Sequence, residues 1–190
     1  MPTSVVSKLL SKDPIPEEVK LGLVGSFPVD APWPQGTCYT DGSGGDFSSL
    51  PLLRRAGVGV VRLDSAGDFL FGAYCPVPGS CQTVPYSELY AVFVVVSCVQ
   101  FQAKVEVVSD SEIVVRGLLT GTKSGPMAEL WQLVHACIAS KELVVTPRWA
   151  KSHTPLSAGS FWISIPRRQL TLLEMHARMP WLTERPRLQK

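Results

Sequence analysis

The sequence predicts an α/β domain with a mixed five-stranded sheet, in which three antiparallel strands precede parallel strands and helices flank the sheet. Two patterns lead to this fold class. Three short apolar segments follow one another through brief turns, which favours antiparallel pairing. Two later strands each follow a helical segment, and such crossovers favour parallel pairing with helices on the faces of the sheet.

The first three predicted strands occupy residues 37–45, 56–63 and 68–75. Glycines end the first strand, and the short turn Asp64-Ser65-Ala66-Gly67 joins the second to the third. Strands that are consecutive and closely connected in this way predict an antiparallel meander.

A long apolar helix is predicted over residues 85–101. Pro85 suits the first turn of a helix, and apolar residues recur at helical spacing from Leu89 to Val99. The remaining predicted elements are strands at 104–109 and 142–149 and helices at 111–119 and 126–140.

The chain is expected to have three parts. Residues 1–35 contain six prolines, which block helix interiors and strand ladders, so this part is interpreted as an extended leader or linker. Residues 36–155 form the predicted domain, and residues 156–190 form an atypical basic tail.

The formal net charge of +2 would by itself argue weakly against binding to nucleic acid. It conceals an uneven distribution, because residues 1–147 have a net charge of −4 and residues 148–190 have one of +6. A split of this kind indicates contact with nucleic acid or with a membrane surface.

The five cysteines are odd in number and include no Cys-x-x-Cys pair. This argues against a zinc ribbon and a disulfide framework and favours reduced, mostly buried thiols. The N-terminus lacks the apolar core of a secretory signal, and the longest apolar run, Leu89–Phe101, is too short to span a bilayer. We therefore expect a cytoplasmic or nuclear protein without membrane contact.

Three acidic residues occupy special places in the predicted elements. Asp41 lies in the first strand, where aspartate is disfavoured, Glu88 lies in the first turn of the long helix, and Asp110 ends the strand 104–109. Each has a purely structural interpretation: Asp41 as a turn residue, Glu88 as a complement to the helix dipole and Asp110 as a helix cap. As a set, they can converge at one edge of a mixed sheet, and oxygen ligands alone select hard cations such as Mg²⁺ or Mn²⁺.

Four short motifs resemble those of a type 1 ribonuclease H domain, in the same order. They are Thr40-Asp41-Gly42-Ser43, Ser87-Glu88-Leu89-Tyr90-Ala91, Ser109-Asp110-Ser111 and Trp149-Ala150-Lys151-Ser152-His153. The resemblance covers roughly residues 37–153, and Glu129-Leu130-Trp131 before the last strand is most similar to the retroelement branch of the family. It implies a ribonuclease H-like fold and a place in a longer retroelement polyprotein.

The resemblance implies hydrolysis of the RNA strand of an RNA–DNA hybrid by a two-metal mechanism. Asp41 would bridge two Mg²⁺ or Mn²⁺ ions, Glu88 and Asp110 would together hold one of them, and His153 would shuttle protons or assist product release. By contrast, His135, on a largely apolar helix, is interpreted as a structural residue.

Five residues are expected to contact the hybrid, which the family recognises by shape and 2′-hydroxyl groups. They are Gly42, Ser43, Thr83, Arg148 and Lys151. The glycine would allow a close approach of the RNA, and the basic residues would meet phosphates. The position after Thr83, often Asn in the family, is a valine here, which weakens the expected contact with the DNA backbone.

The resemblance stops shortly after His153. The family has a fourth carboxylate on a final helix, whereas this chain has no aspartate after Asp110. Glu174 could substitute for it, but it is interpreted as a surface residue. One hypothesis is a shift of reading frame or exon boundary at this point. Two functions therefore stay open: an active hybrid endonuclease, and a weak or inactive module that only binds nucleic acid or partners.

Overall fold

The computed structural model describes residues 21–28, 30–45, 49–50, 54–64, 68–122 and 124–151. Within these ranges there are six strands and three helices. The strands are β1 (Gly22–Gly25), β2 (Gly36–Ser43), β3 (Gly57–Leu63), β4 (Phe69–Pro76), β5 (Lys104–Ser109) and β6 (Val144–Trp149). The helices are α1 (Val84–Cys98), α2 (Glu112–Thr120) and α3 (Ala128–Ser140).

The strands form one mixed sheet in the order β1-β4-β3-β2-β5-β6. The pairs β1–β4, β4–β3 and β3–β2 are antiparallel, and β2–β5 and β5–β6 are parallel. The predicted ribonuclease H-like arrangement, in which an antiparallel meander is followed by parallel strands, is therefore confirmed. The described part of the sheet has six strands where the sequence predicted five.

The additional strand, β1, lies in the segment that was predicted as a leader. It pairs with β4 at the edge of the sheet. Further along the same segment, the Trp33 side chain is buried, and its ring meets that of Phe71 edge-on at 5.0 Å between centroids. Residues 22–25 and Trp33 thus contribute a strand and a core side chain to the domain.

Helix α1 packs against β2 and β3, and α3 packs on α1. Thr83 caps the N-terminus of α1, where the Thr83 hydroxyl accepts a hydrogen bond from the Tyr86 amide at 3.4 Å. The helix ends at Cys98 and not at residue 101, because Val99 is extended and forms a parallel bridge with Trp33. The prediction from periodicity missed this end because a buried valine suits a helix and a bridge equally well.

The core lies between α1 and the sheet. Every residue of β3 is buried. The buried apolar side chains of α1 form one core cluster with residues of the sheet that include Cys38 of β2 and Phe71 of β4. A second, smaller apolar cluster contains Tyr39, Val61 and Val108. Alternation along β2 therefore places Cys38 and Tyr39 on opposite faces. In the described ranges, no helix is both long and apolar enough to span a membrane.

Candidate metal centre

The carboxylates of Asp41, Glu88 and Asp110 meet at one edge of the sheet. One oxygen of each lies within 4.8 Å of the others. Glu88 is buried, and the two aspartates are partly exposed. The three acids singled out from the sequence therefore form one cluster, which none of their separate structural interpretations required.

The register of β2 and β5 explains why two of these acids meet. Tyr39 is paired with Val108 in this parallel ladder, and Asp41 and Asp110 each follow two positions later. Because side chains alternate with period two, both aspartates reach the same level and the same face beyond that pair. Adjacent strands are about 4.8 Å apart, so carboxylates in this register are brought close together.

The third carboxylate comes from α1, the helix that connects the meander to β5. The Gly42 amide donates a hydrogen bond to Glu88 Oε1 at 2.9 Å. A Cβ on Gly42 would lie 2.5 Å from both the Glu88 amide nitrogen and Ser87 Oγ. Glycine is therefore required here for the close approach of α1 to β2, and this approach is what carries Glu88 to the two aspartates.

The electrostatics of the cluster are unfavourable without a cation. Glu88 is only 6% exposed, and its second oxygen, Oε2, is buried without a hydrogen-bond partner among the residues that the structure describes. Burial raises the pKa of Glu88 to about 8, with further increases from Asp41 and Asp110, while the Gly42 hydrogen bond partly opposes them. A buried carboxylate oxygen with no donor and two acidic neighbours fits a hard divalent cation, which prefers oxygen ligands.

Asp110 is held in place by its neighbours in β5 and β6. The Ser109 hydroxyl accepts a hydrogen bond from the Ser111 amide at 3.1 Å, and the Ala150 amide donates to the Ser109 carbonyl at 3.0 Å. The indole N–H of Trp149 donates to the Asp110 carbonyl at 3.0 Å. Trp149 was present in the fourth motif, but sequence reasoning gave it no role, because nothing in the motif shows where the indole points.

The predicted nucleic-acid contacts have varied surroundings. Ser43 ends β2, and its hydroxyl accepts a hydrogen bond from the Gly45 amide at 3.2 Å. Thr83 is exposed at the start of α1, and Lys151 is exposed just after β6. The role of Gly42 in packing accounts for a glycine at this position, and its predicted contact with RNA stays a prediction. His153 lies outside the described residues.

Arg148 already has a carboxylate partner. Its Nε lies 2.7 Å from Glu106 Oε1, and its Nη2 donates to the Tyr39 hydroxyl at 3.4 Å. Glu106 also accepts a hydrogen bond from the Thr37 hydroxyl at 3.0 Å. The bond from Arg148 is the main reason why the pKa of Glu106 is lowered. A phosphate would therefore have to compete with Glu106 for this guanidinium.

A second residue missed from the sequence is Gln82, which is buried beside the start of α1. Its side-chain oxygen accepts a hydrogen bond from the Ala56 amide at 2.7 Å, and its nitrogen donates to the Val77 and Gly79 carbonyls, each at 2.8 Å. These bonds join the start of β3 to the loop before α1. Gln82 lies outside the four motifs, so no pattern along the sequence marks it as a structural residue.

No family model matches the chain, and no curated protein matches it. Among solved structures, it is similar to LC11-RNase H1 in complex with an RNA/DNA hybrid, at 21% identity and a TM-score of 0.49, over 61% of this chain and 85% of that one. RNase H1 from the halophilic archaeon Halobacterium salinarum NRC-1 is 14% identical, with a TM-score of 0.47 and the same coverage.

The RNase H domain of prototype foamy virus is 20% identical, with a TM-score of 0.48, over 64% of this chain and 81% of that one. Likeness at these levels does not identify an activity. The functional proposal therefore depends on the carboxylate cluster and on the strand register that forms it.

Proposed function

We propose that this chain is a metal-dependent endonuclease that hydrolyses the RNA strand of RNA–DNA hybrids. The observation that carries the proposal is the convergence of Asp41, Glu88 and Asp110 within 4.8 Å, with one buried carboxylate oxygen that has no partner in the described part of the chain. Three acids that repel one another at a sheet edge destabilise the fold, and a cation-binding role accounts for them.

The three carboxylates would hold Mg²⁺ or Mn²⁺, with two ions expected. When bound, the ions would activate a water molecule and stabilise the leaving oxygen of a phosphodiester. By the resemblance of its motif, Asp41 would bridge the ions. The Gly42 amide holds one oxygen of Glu88, and the other is buried with no partner among the described residues, so this ligand is oriented before any cation binds.

The remaining roles are part of the same proposal. His153 would move a proton near the departing group, as the motif after β6 implies. Gly42, Ser43, Thr83 and Lys151 would line the path of the hybrid. The four sequence motifs, which resemble those of ribonuclease H domains, support this class of ligand. A place within a retroelement polyprotein is also proposed.

The test is cleavage of an end-labelled RNA–DNA hybrid with Mg²⁺ or Mn²⁺ by the wild-type chain and by Asp41→Asn. A matched control is Asp68→Asn, because Asp68 precedes β4, at the opposite end of the β2–β3 ladder from Asp41. We expect cleavage by the wild type and by Asp68→Asn and its loss in Asp41→Asn. Cleavage that is insensitive to Asp41→Asn would contradict the proposal.

A second candidate is a module that binds hybrids without cleaving them. It is favoured by one observation, the absence of any aspartate after Asp110 in the sequence. Retention of the labelled hybrid by the wild-type chain, without products in either metal, would support this function over the first.

A further inference from the structure

We infer that Trp149 is a positioning residue of the candidate metal centre and that it fixes the direction of Asp110 through the main chain. The inference rests on the proposed function, since Asp110 is one of the proposed ligands. It concerns a residue that contacts neither the hybrid nor a cation in the proposal above.

The contact joins a side chain of β6 to the backbone beyond β5. Trp149 and Ser109 are paired as the last residues of these parallel strands. Beyond this pair, the Trp149 indole N–H donates to the Asp110 carbonyl at 3.0 Å. The Ser109 carbonyl accepts from the Ala150 amide just after β6, so two successive carbonyls, those of Ser109 and Asp110, are bonded to the end of β6 and the residue after it.

The Asp110 carbonyl has no partner within the helix that follows. Helix α2 has Ser111 as its N-cap, and the Ser111 carbonyl is the one that accepts the bond from the Val115 amide, at 3.1 Å. Asp110 lies one residue outside this pattern. Because the peptide group is planar, a bond to this carbonyl fixes the backbone torsion on the carbonyl side of Asp110, and the backbone limits the rotamers of its carboxylate.

The exposure of Trp149 supports a role for its N–H group. The side chain is 47% exposed, so it buries less apolar area than a core tryptophan such as Trp131, which is 2% exposed. Its only polar atom is nevertheless used, and the acceptor belongs to a proposed ligand.

The experiment removes the N–H group and keeps a ring. Trp149→Phe is the first variant, and the second carries 3-(3-benzothienyl)alanine at position 149, introduced by nonsense suppression, which keeps the bicyclic ring and lacks the donor. Phe101→Leu is the control, because Phe101 is 70% exposed and follows α1, away from Asp110. Binding of Mn²⁺ to the full chain is measured by calorimetry, alongside hybrid cleavage.

We expect both variants at position 149 to bind Mn²⁺ roughly threefold to tenfold more weakly than wild type, the effect of losing one neutral hydrogen bond. Phe101→Leu should bind it equally well. At limiting Mn²⁺ kcat should fall in the position-149 variants and recover at saturating Mn²⁺, with KM for the hybrid unchanged. A role in folding alone would instead lower the free energy of unfolding in urea with EDTA, where no cation is bound, and this is measured in parallel.

Equal Mn²⁺ affinity in wild type and both position-149 variants, with a wild type that cleaves hybrids, would overturn this inference and leave the proposed function intact. A wild type that neither binds Mn²⁺ nor cleaves would overturn both.

Discussion

Glu88→Gln is expected to stabilise the metal-free protein while removing the proposed nuclease activity. The carboxylate of Glu88 is buried beside Asp41 and Asp110, and its pKa is raised from 4.5 to about 8. A raised carboxyl pKa means that the folded state binds a proton that the unfolded state releases. Between about pH 4.5 and pH 8 the free energy of unfolding of the wild type therefore falls as pH rises.

The size of this loss follows from the two pKa values. At pH 7 the unfolded chain is about 2.5 pH units above its own pKa, while folded Glu88 is still mostly protonated. At about 1.4 kcal/mol per unit, the loss is about 3 kcal/mol. A glutamine keeps the oxygen that accepts the bond from Gly42 and does not titrate, so the variant should not show this loss.

The assay is urea unfolding in EDTA at pH 4.5, 7 and 8.5. The free energy of unfolding of Glu88→Gln should exceed that of the wild type by about 3 kcal/mol at pH 7, and this pH-dependent difference should be absent at pH 4.5. Adding Mg²⁺ should raise the stability of the wild type and have little effect on the variant, since only the ionised carboxylate is a proposed ligand.

Glu106→Gln is the control with the opposite sign. Its pKa is lowered, mainly by the hydrogen bond from Arg148, so this carboxylate stabilises the fold above its unfolded pKa and the variant should lose stability there. A stability difference for Glu88→Gln that does not change between pH 4.5 and pH 8.5 would refute the reasoning about the cluster.

Two further substitutions test the geometry around the site. Gly42→Ala should cost about 1–3 kcal/mol in urea unfolding and weaken Mn²⁺ binding in calorimetry, because the new Cβ would lie 2.5 Å from the Glu88 amide and push α1 away; unchanged values for both would contradict the close approach. Arg62→Lys should cost about 2 kcal/mol, measured by thermal unfolding, because the buried guanidinium donates to the Pro34 and Gln35 carbonyls and a lysine cannot reproduce its planar fork. An unchanged Tm would show that these bonds do not hold the segment before β2.

The sequence was sufficient for five of the six described strands and for identifying the three acids of the cluster, because local patterns indicate both. Apolar runs and turns predict the strands. An acid at the end of a strand or the start of a helix is restricted to the edge of the sheet at which that element ends or begins. Strand β1 was missed because it has four residues and lies among prolines, where propensity predicts no ladder. Residues 22–25 form a strand because they pair with β4, and this long-range contact cannot be read from the local sequence.

The contacts of individual side chains could not be predicted without the register of the paired strands. Arg148 was expected to meet phosphate, but its Nε lies 2.7 Å from Glu106, a residue 42 positions away on the neighbouring strand. Gly42 was expected to admit RNA, and its immediate structural role is to admit α1. No spacing along the chain distinguishes these outcomes, because each depends on which residues are brought opposite one another.

The parallel pairing of β2 with β5 has a consequence for how the molecule unfolds. Thr37 and Glu106 are bonded across 69 positions of sequence, and the same separation holds between Asp41 and Asp110. A cation shared by these two carboxylates would close a long loop of chain, as a reversible cross-link does, and closing long loops restricts the unfolded ensemble most. Since the two strands could not part before the ion left, metal-loaded molecules would open more slowly as well as less often, and their lifetime would then depend on the rate of ion release.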